Sequence, residues 1–88
     1  MKPIVNFVAY GNREISLDYQ NFLVGMKIVL IDQTSGQQLS APVVTMDKSG
    51  HGSLTIKLPD SVAAGQYHLA ALDPDGHLAA QSVAFYVS

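Results

Sequence analysis

Ala64-Gly65-Gln66-Tyr67-His68-Leu69-Ala70-Ala71-Leu72-Asp73-Pro74-Asp75-Gly76 joins strand patterning and turn chemistry more clearly than any other stretch of the chain. Gly65 opens it. Tyr67, Leu69 and Ala71 then alternate with His68, Ala70 and Leu72, the period of two expected of a β-strand. Asp73-Pro74-Asp75-Gly76 ends it as a tight reversal, with proline at a turn's second position and Gly76 where φ is positive. A strand followed at once by a hairpin turn predicts an antiparallel partner in the residues that follow. His77 to Val87 supplies one, with Val83, Phe85 and Val87 in period.

Upstream, Pro59 to Ala64 reads as a crossover with room for a single helical turn over Asp60 to Ala64. Before it, Ser53 to Leu58 alternates, with Leu54, Ile56 and Leu58 on one face. Arg13 to Gln20 does the same with Ile15, Leu17 and Tyr19, and Asn21 to Gly25 then connects, with Phe22 plugging one end of the core. Gln37 to Met46 is interrupted by Pro42 and suits a broken edge segment. Pro3 to Tyr10, with an imperfect alternation and a proline at its start, reads as an edge or sheet-switching first strand before a Gly11-Asn12 turn. About seven strand-like segments, separated by turn formers and without any helical period, predict an all-β, immunoglobulin-like sandwich of two antiparallel sheets. The expected core is Ile15, Leu17, Ile28, Leu30, Leu54, Ile56, Tyr67, Leu69, Phe85 and Val87.

Eighty-eight residues make one small domain over residues 1–88. The charged fraction is 14%, below the ordinary ~25%. A net charge of −2 and five Lys+Arg residues leave no basic stripe for a phosphate backbone, so nucleic acid is not an expected partner. No apolar run approaches membrane-spanning length. Met1 to Phe7 lacks the apolar stretch of a secretory signal, so either the chain is cytoplasmic or Met1 opens a piece of a longer protein. Without cysteine, neither disulfides nor thiolate metal sites can form.

Tyr67 follows the crossover Pro59-Asp60-Ser61-Val62-Ala63-Ala64-Gly65 and is placed to turn its ring inward and hydrogen-bond the crossover backbone, the tyrosine corner of many sandwiches. Leu69 stands where immunoglobulin domains carry their second core cysteine, so packing replaces the disulfide. Leu58-Pro59, Gly65-Gln66-Tyr67-His68-Leu69, Asp73-Pro74-Asp75-Gly76 and Phe85-Tyr86-Val87 together resemble bacterial immunoglobulin-like early-set domains of the IPT/TIG type. Ile15-Ser16-Leu17 and Asn21-Phe22 match that pattern more loosely. The glycine usual before the Asn-Phe pair is replaced by Tyr19-Gln20, and the opening Ser-Pro is missing. The resemblance implies a non-catalytic spacing, packing or binding module of a larger cell-surface, secreted or polymer-handling bacterial protein, and therefore an extracellular or envelope location.

The chemistry visible in the sequence favours no enzyme. Asp73-x-Asp75-Gly76 opens like a calcium loop, but the glutamate that would close an EF-hand falls at Ser82, and strands flank the segment. With His68 expected opposite about Gln81, His77 would lie about 13 Å further along the paired strands, too far for one ion. Ser49-Gly50-His51-Gly52-Ser53 puts hydroxyls beside an imidazole in a glycine-rich turn, without the third group that orients a catalytic base. Asp18, Asp32 and Asp47 are dispersed. No cofactor or metal ligand set is expected.

Met26 to Ile31 differs from the other strands. Met26, Ile28 and Leu30 form one face, yet Val29 and Ile31 make the other face apolar too, and a strand apolar on both faces is usually covered on both. His68, Ala70 and Leu72 fall on the corresponding face of the next strand, and Ala79, Ala80 and Ala84 are expected to add small residues beside them. This predicts an apolar patch over Val29, Ile31, His68, Ala70, Leu72 and Ala84 that docks protein, either a neighbouring domain or a second copy. Tyr67, Gly65 and Gly76 are expected to be structural. The alternatives are a carbohydrate- or polymer-binding module using Tyr10, Asn12, Asn21 and Gln33, and an accessory domain of a secreted enzyme.

Overall fold

The computed structural model describes residues 1–88, which form eight strands and no helix. They are β1 (Ile4–Gly11), β2 (Glu14–Phe22), β3 (Lys27–Asp32), β4 (Gln38–Thr45), β5 (Gly50–Lys57), β6 (Gly65–Leu72), β7 (Leu78–Gln81) and β8 (Phe85–Val87). One sheet has the order β1-β2-β5. The other runs β4-β3-β6-β7, with β8 also paired to β6. All pairings are antiparallel, and the two sheets face each other as an immunoglobulin-like sandwich.

The core follows from the period-two pattern. Ile15 and Leu17 of β2 and Ile56 of β5 meet Ile28 and Leu30 of β3 and Tyr67, Leu69 and Ala71 of β6, joined by Phe22, Met26, Met46, Leu58 and Val62. Burying a side chain of this size stabilises the fold by about 1.5–3 kcal/mol. Leu54, expected in the core, is only half-buried, because β5 is the last strand of its sheet and has no outer neighbour to cover it. One side of the sandwich is closed by β1, which packs across onto β6, β7 and β8. There the rings of Phe7 and Phe85 stack with centroids 4.3 Å apart and planes 7° from parallel. β4 and β5 are the outermost strands on the opposite side.

The crossover Pro59 to Ala64 is not helical; its one local backbone bond runs from Val62 N–H to the Pro59 carbonyl. Two groups hold it instead. Tyr67 Oη donates to the Ala63 carbonyl at 2.7 Å. Arg13 Nη2 donates to the carbonyls of Pro59 and Val62, both at 2.8 Å. Arg13 sits with Asn12 in the two-residue β1–β2 turn at φ values of 61° and 52°, the pair of positive φ angles that a type I′ hairpin needs. The turn is therefore Asn12-Arg13, one residue later than the Gly11-Asn12 expected from composition.

The final strand is not continuous. β7 and β8 are separated by Ser82–Ala84, and Val83, expected inward, is 70% exposed. Ser82 bridges the break. Its Oγ accepts the Leu69 N–H at 2.9 Å and donates to the Val83 carbonyl at 2.8 Å, while its own N–H donates to the Leu69 carbonyl. A ladder position is thus filled by a side chain, and the strand restarts at Phe85 with the alternation needed to bury Phe85 and Val87.

Candidate functional site

Residues directly opposite one another in an antiparallel pair share a face, so the register fixes what the outside of the five-stranded sheet presents. Its middle row is Val43, Val29, Ala70 and Gln81. On one side lies the row Thr45, Lys27, Leu72 and Leu78. On the other lie Gln38, Ile31 and His68, and beyond them Gln66 with Tyr86. Apolar side chains hold the centre, amides and one lysine the margin, and no carboxylate appears in any row. His68 Nδ1 is 2.7 Å from Gln33 Oε1, which anchors the β3–β4 turn against this margin.

The relief is concave. Ile31, His68, Ala70 and Leu72 form the base of an open hollow of about 400 Å³, with Gly36 and Gln38 on one side and Gly76, Leu78 and Gln81 on the other. Ala70 and Val29 are 0% and 2% exposed, although neither belongs to the core between the sheets. Val29, expected as a contact residue, is thus already shielded between Val43 and Ala70, its neighbours in the row. The apolar surface left to solvent belongs to Val43 and Leu78, 44% and 58% exposed, and to the half-buried Ile31 and Leu72.

The alanines of the last strand are placed differently from expectation. Ala80 pairs with Ala71, and both Ala79 and Ala80 pack against the core. A register shift after Ala71 turns them in and leaves Leu78 and Gln81 facing out. Ala84 is exposed in the β7–β8 break and has no ladder partner. Val43, Leu78, Gln81 and Tyr86 were not legible as members of this face, because their position depends on pairings across the sheet.

The alternative loop set does not converge. Tyr10 Oη donates to the Ser88 carbonyl, and Asn12 occupies the β1–β2 turn. Asn21 lies at the far end of β2, its Nδ2 donating to the Lys2 carbonyl. Gln33 is engaged with His68.

Catalytic and metal chemistry finds little geometry. Ser53 Oγ donates to Asp18 Oδ1 at 2.7 Å, His51 is exposed, and no serine–histidine bond forms. No charged side chain is buried, and no buried side-chain polar atom lacks a partner. The β6–β7 turn does gather ligand atoms of Asp73, Asp75 and His77 within 4.8 Å of one another, a grouping made by turn geometry that the sequence alone did not reveal. Asp73 Oδ1 there already accepts the N–H groups of Asp75 and His77, both at 2.9 Å. The remaining open-sided donors fall well short of the 6–8 oxygens calcium takes. Gly65, at φ 155°, serves the backbone path at the start of β6, and Gly76, at φ 89°, serves the β6–β7 turn.

What the fold and this face define together is an all-β sandwich with one concave sheet surface that carries a single lysine and no carboxylate. Comparison of the chain with protein-family models, with characterised proteins and with solved structures finds no match.

Proposed function

We propose that this chain is a non-enzymatic structural and protein-interaction module, an early-set immunoglobulin-like domain of the IPT/TIG type. Its contact surface is the outer face of the five-stranded sheet, and its partner is a neighbouring domain or a second copy. The observation that carries the reading is the carboxylate-free outer face, where Val43, Leu78, Ile31 and Leu72 leave apolar surface in solvent around a hollow with His68 in its base and Gln38 and Gln81 at its sides. An apolar centre with a polar margin that carries one lysine, no carboxylate and an exposed tyrosine has the composition of protein contact surfaces. By the resemblance of its second half, the module serves a larger secreted or envelope protein.

Methyl NMR with a soluble paramagnetic co-solute tests the reading. The methyls of Ile31, Val43, Leu72 and Leu78 should be shielded when the chain is joined to its flanking segments or concentrated, and Val43→Glu with Leu78→Glu should abolish that shielding without unfolding the domain. Full accessibility of all four side chains under both conditions would refute it.

A further inference from the structure

The free edges of the two sheets differ in how well they are protected. An edge strand offers unpaired N–H and C=O groups to any other strand, and folds commonly blunt such edges with proline, bulges or cover. β1 has a register shift between Phe7 and Ala9 and packs across onto the opposite sheet. β4 carries Pro42, and its register with β3 breaks between Val29 and Ile31. β5 is protected less. It contains no proline, its pairing with β2 runs unbroken from Glu14↔Lys57 to Tyr19↔Gly52, the one register shift of that ladder, between Tyr19 and Phe22, puts its extra residue in β2 and not in β5, and β2 is its only ladder partner.

The direction of its backbone groups follows from one hydrogen bond. Leu58 N–H donates to the Arg13 carbonyl at 2.8 Å, one step beyond the Glu14↔Lys57 pair. Hydrogen-bonded and non-hydrogen-bonded pairs alternate in an antiparallel ladder. Ile56 and Leu54 therefore direct their N–H and C=O to β2, whereas His51, Ser53, Thr55 and Lys57 direct theirs out of the sheet edge. The side chains of these four residues are exposed.

We infer that β5 pairs with β5 of a second copy, antiparallel about a two-fold axis at Leu54, making one continuous six-stranded sheet. The strand is self-complementary in that register. Ser53 meets Thr55, His51 meets Lys57, and no two like-charged side chains are directly opposed. Each outward residue then exchanges two hydrogen bonds with its counterpart, about eight in all. Leu54, left half-buried in the single chain, faces its own copy at the close Cα spacing of about 4.5 Å typical of a non-hydrogen-bonded pair. This contact lies on the sheet opposite the concave face and is independent of what that face binds.

Sedimentation and amide hydrogen exchange on the 88-residue chain, from micromolar to millimolar concentration, test it. The expected result is a concentration-dependent dimer in which the Ser53, Thr55 and Lys57 amides become protected, while Leu54 and Ile56 amides are protected throughout. Thr55→Pro removes an edge-directed N–H and leaves the β2 ladder intact, so it should weaken association by at least about tenfold. If that variant does not fold, Ser53→Lys with Thr55→Lys sets lysine against lysine across the axis and should dissociate the dimer equally. The inference is overturned by a monomer at every concentration, by a dimer that the folded edge variant leaves unchanged, or by edge amides that exchange freely in the dimer. Shielded outer-face methyls beside an unprotected edge would sink this pairing while supporting the concave-face reading.

Discussion

The hydroxyl of Tyr67 lies 2.7 Å from the carbonyl of Ala63, four residues upstream, and ties the start of β6 to the crossover that delivers the chain from one sheet to the other. The ring is buried in the core while its hydroxyl meets the Ala63 carbonyl at the edge. Tyr67→Phe keeps the ring and removes the bond. It should lower stability by about 1 kcal/mol, seen as a fall of about 4–8 °C in Tm for a domain of this size. An unchanged urea midpoint would show that water satisfies Ala63 equally well.

Arg13 reaches the same crossover from the other sheet. A non-glycine residue in the left-handed region costs about 1–2 kcal/mol, and Arg13→Gly would remove that cost. The substitution also deletes two hydrogen bonds from a charged donor, each worth about 1.5–3 kcal/mol. The second effect is larger, so Arg13→Gly should destabilise by about 2 kcal/mol. A stabilised variant in chemical denaturation would mean that backbone strain outweighs the clamp.

Ser82 supplies the acceptor for the part-buried Leu69 N–H where β7 gives way to β8. Ser82→Ala leaves that donor without its partner and should cost about 1–3 kcal/mol. Ser82→Thr retains the hydroxyl oxygen and should recover most of the loss. Equal losses in the two variants, compared by urea unfolding, would place the effect in packing and not in the hydrogen bond.

Gly52 is where the Tyr19 side chain crosses the neighbouring strand. A Cβ there would stand 2.8 Å from Tyr19 Oη and 3.1 Å from Cζ, and the ring is itself packed against Phe22 at a centroid distance of 5.0 Å. Gly52→Ala should therefore destabilise by about 1 kcal/mol. Because the closest atom is the hydroxyl, the cost should shrink in a Tyr19→Phe background, with a coupling of about 0.5 kcal/mol in the double-mutant cycle. Additive effects would show that the ring swings away freely.

The elements readable from sequence are those set by local period and turn chemistry. The alternation of Ile15 with Leu17, of Ile28 with Leu30, and of Tyr67 with Leu69 names the inner face of each strand, because successive side chains point to opposite faces whatever the partner. The same rule foretold that Val29, Ile31, Ala70 and Leu72 would lie together on the outside of one sheet. Long-range pairing decided the rest. A shift of a single residue after Ala71 turned Ala79 and Ala80 inward and put Leu78 and Gln81 on the outer face, since slipping register by one position exchanges the faces of every following residue. Only the neighbours supplied by β4 and β6 bury Val29, and only the ladder direction read at Leu58 and Arg13 shows which groups of β5 are free. A chain carries its own periodicity in its residues, but which backbone groups remain unpaired depends on partners distant in sequence, and so on the folded sheet.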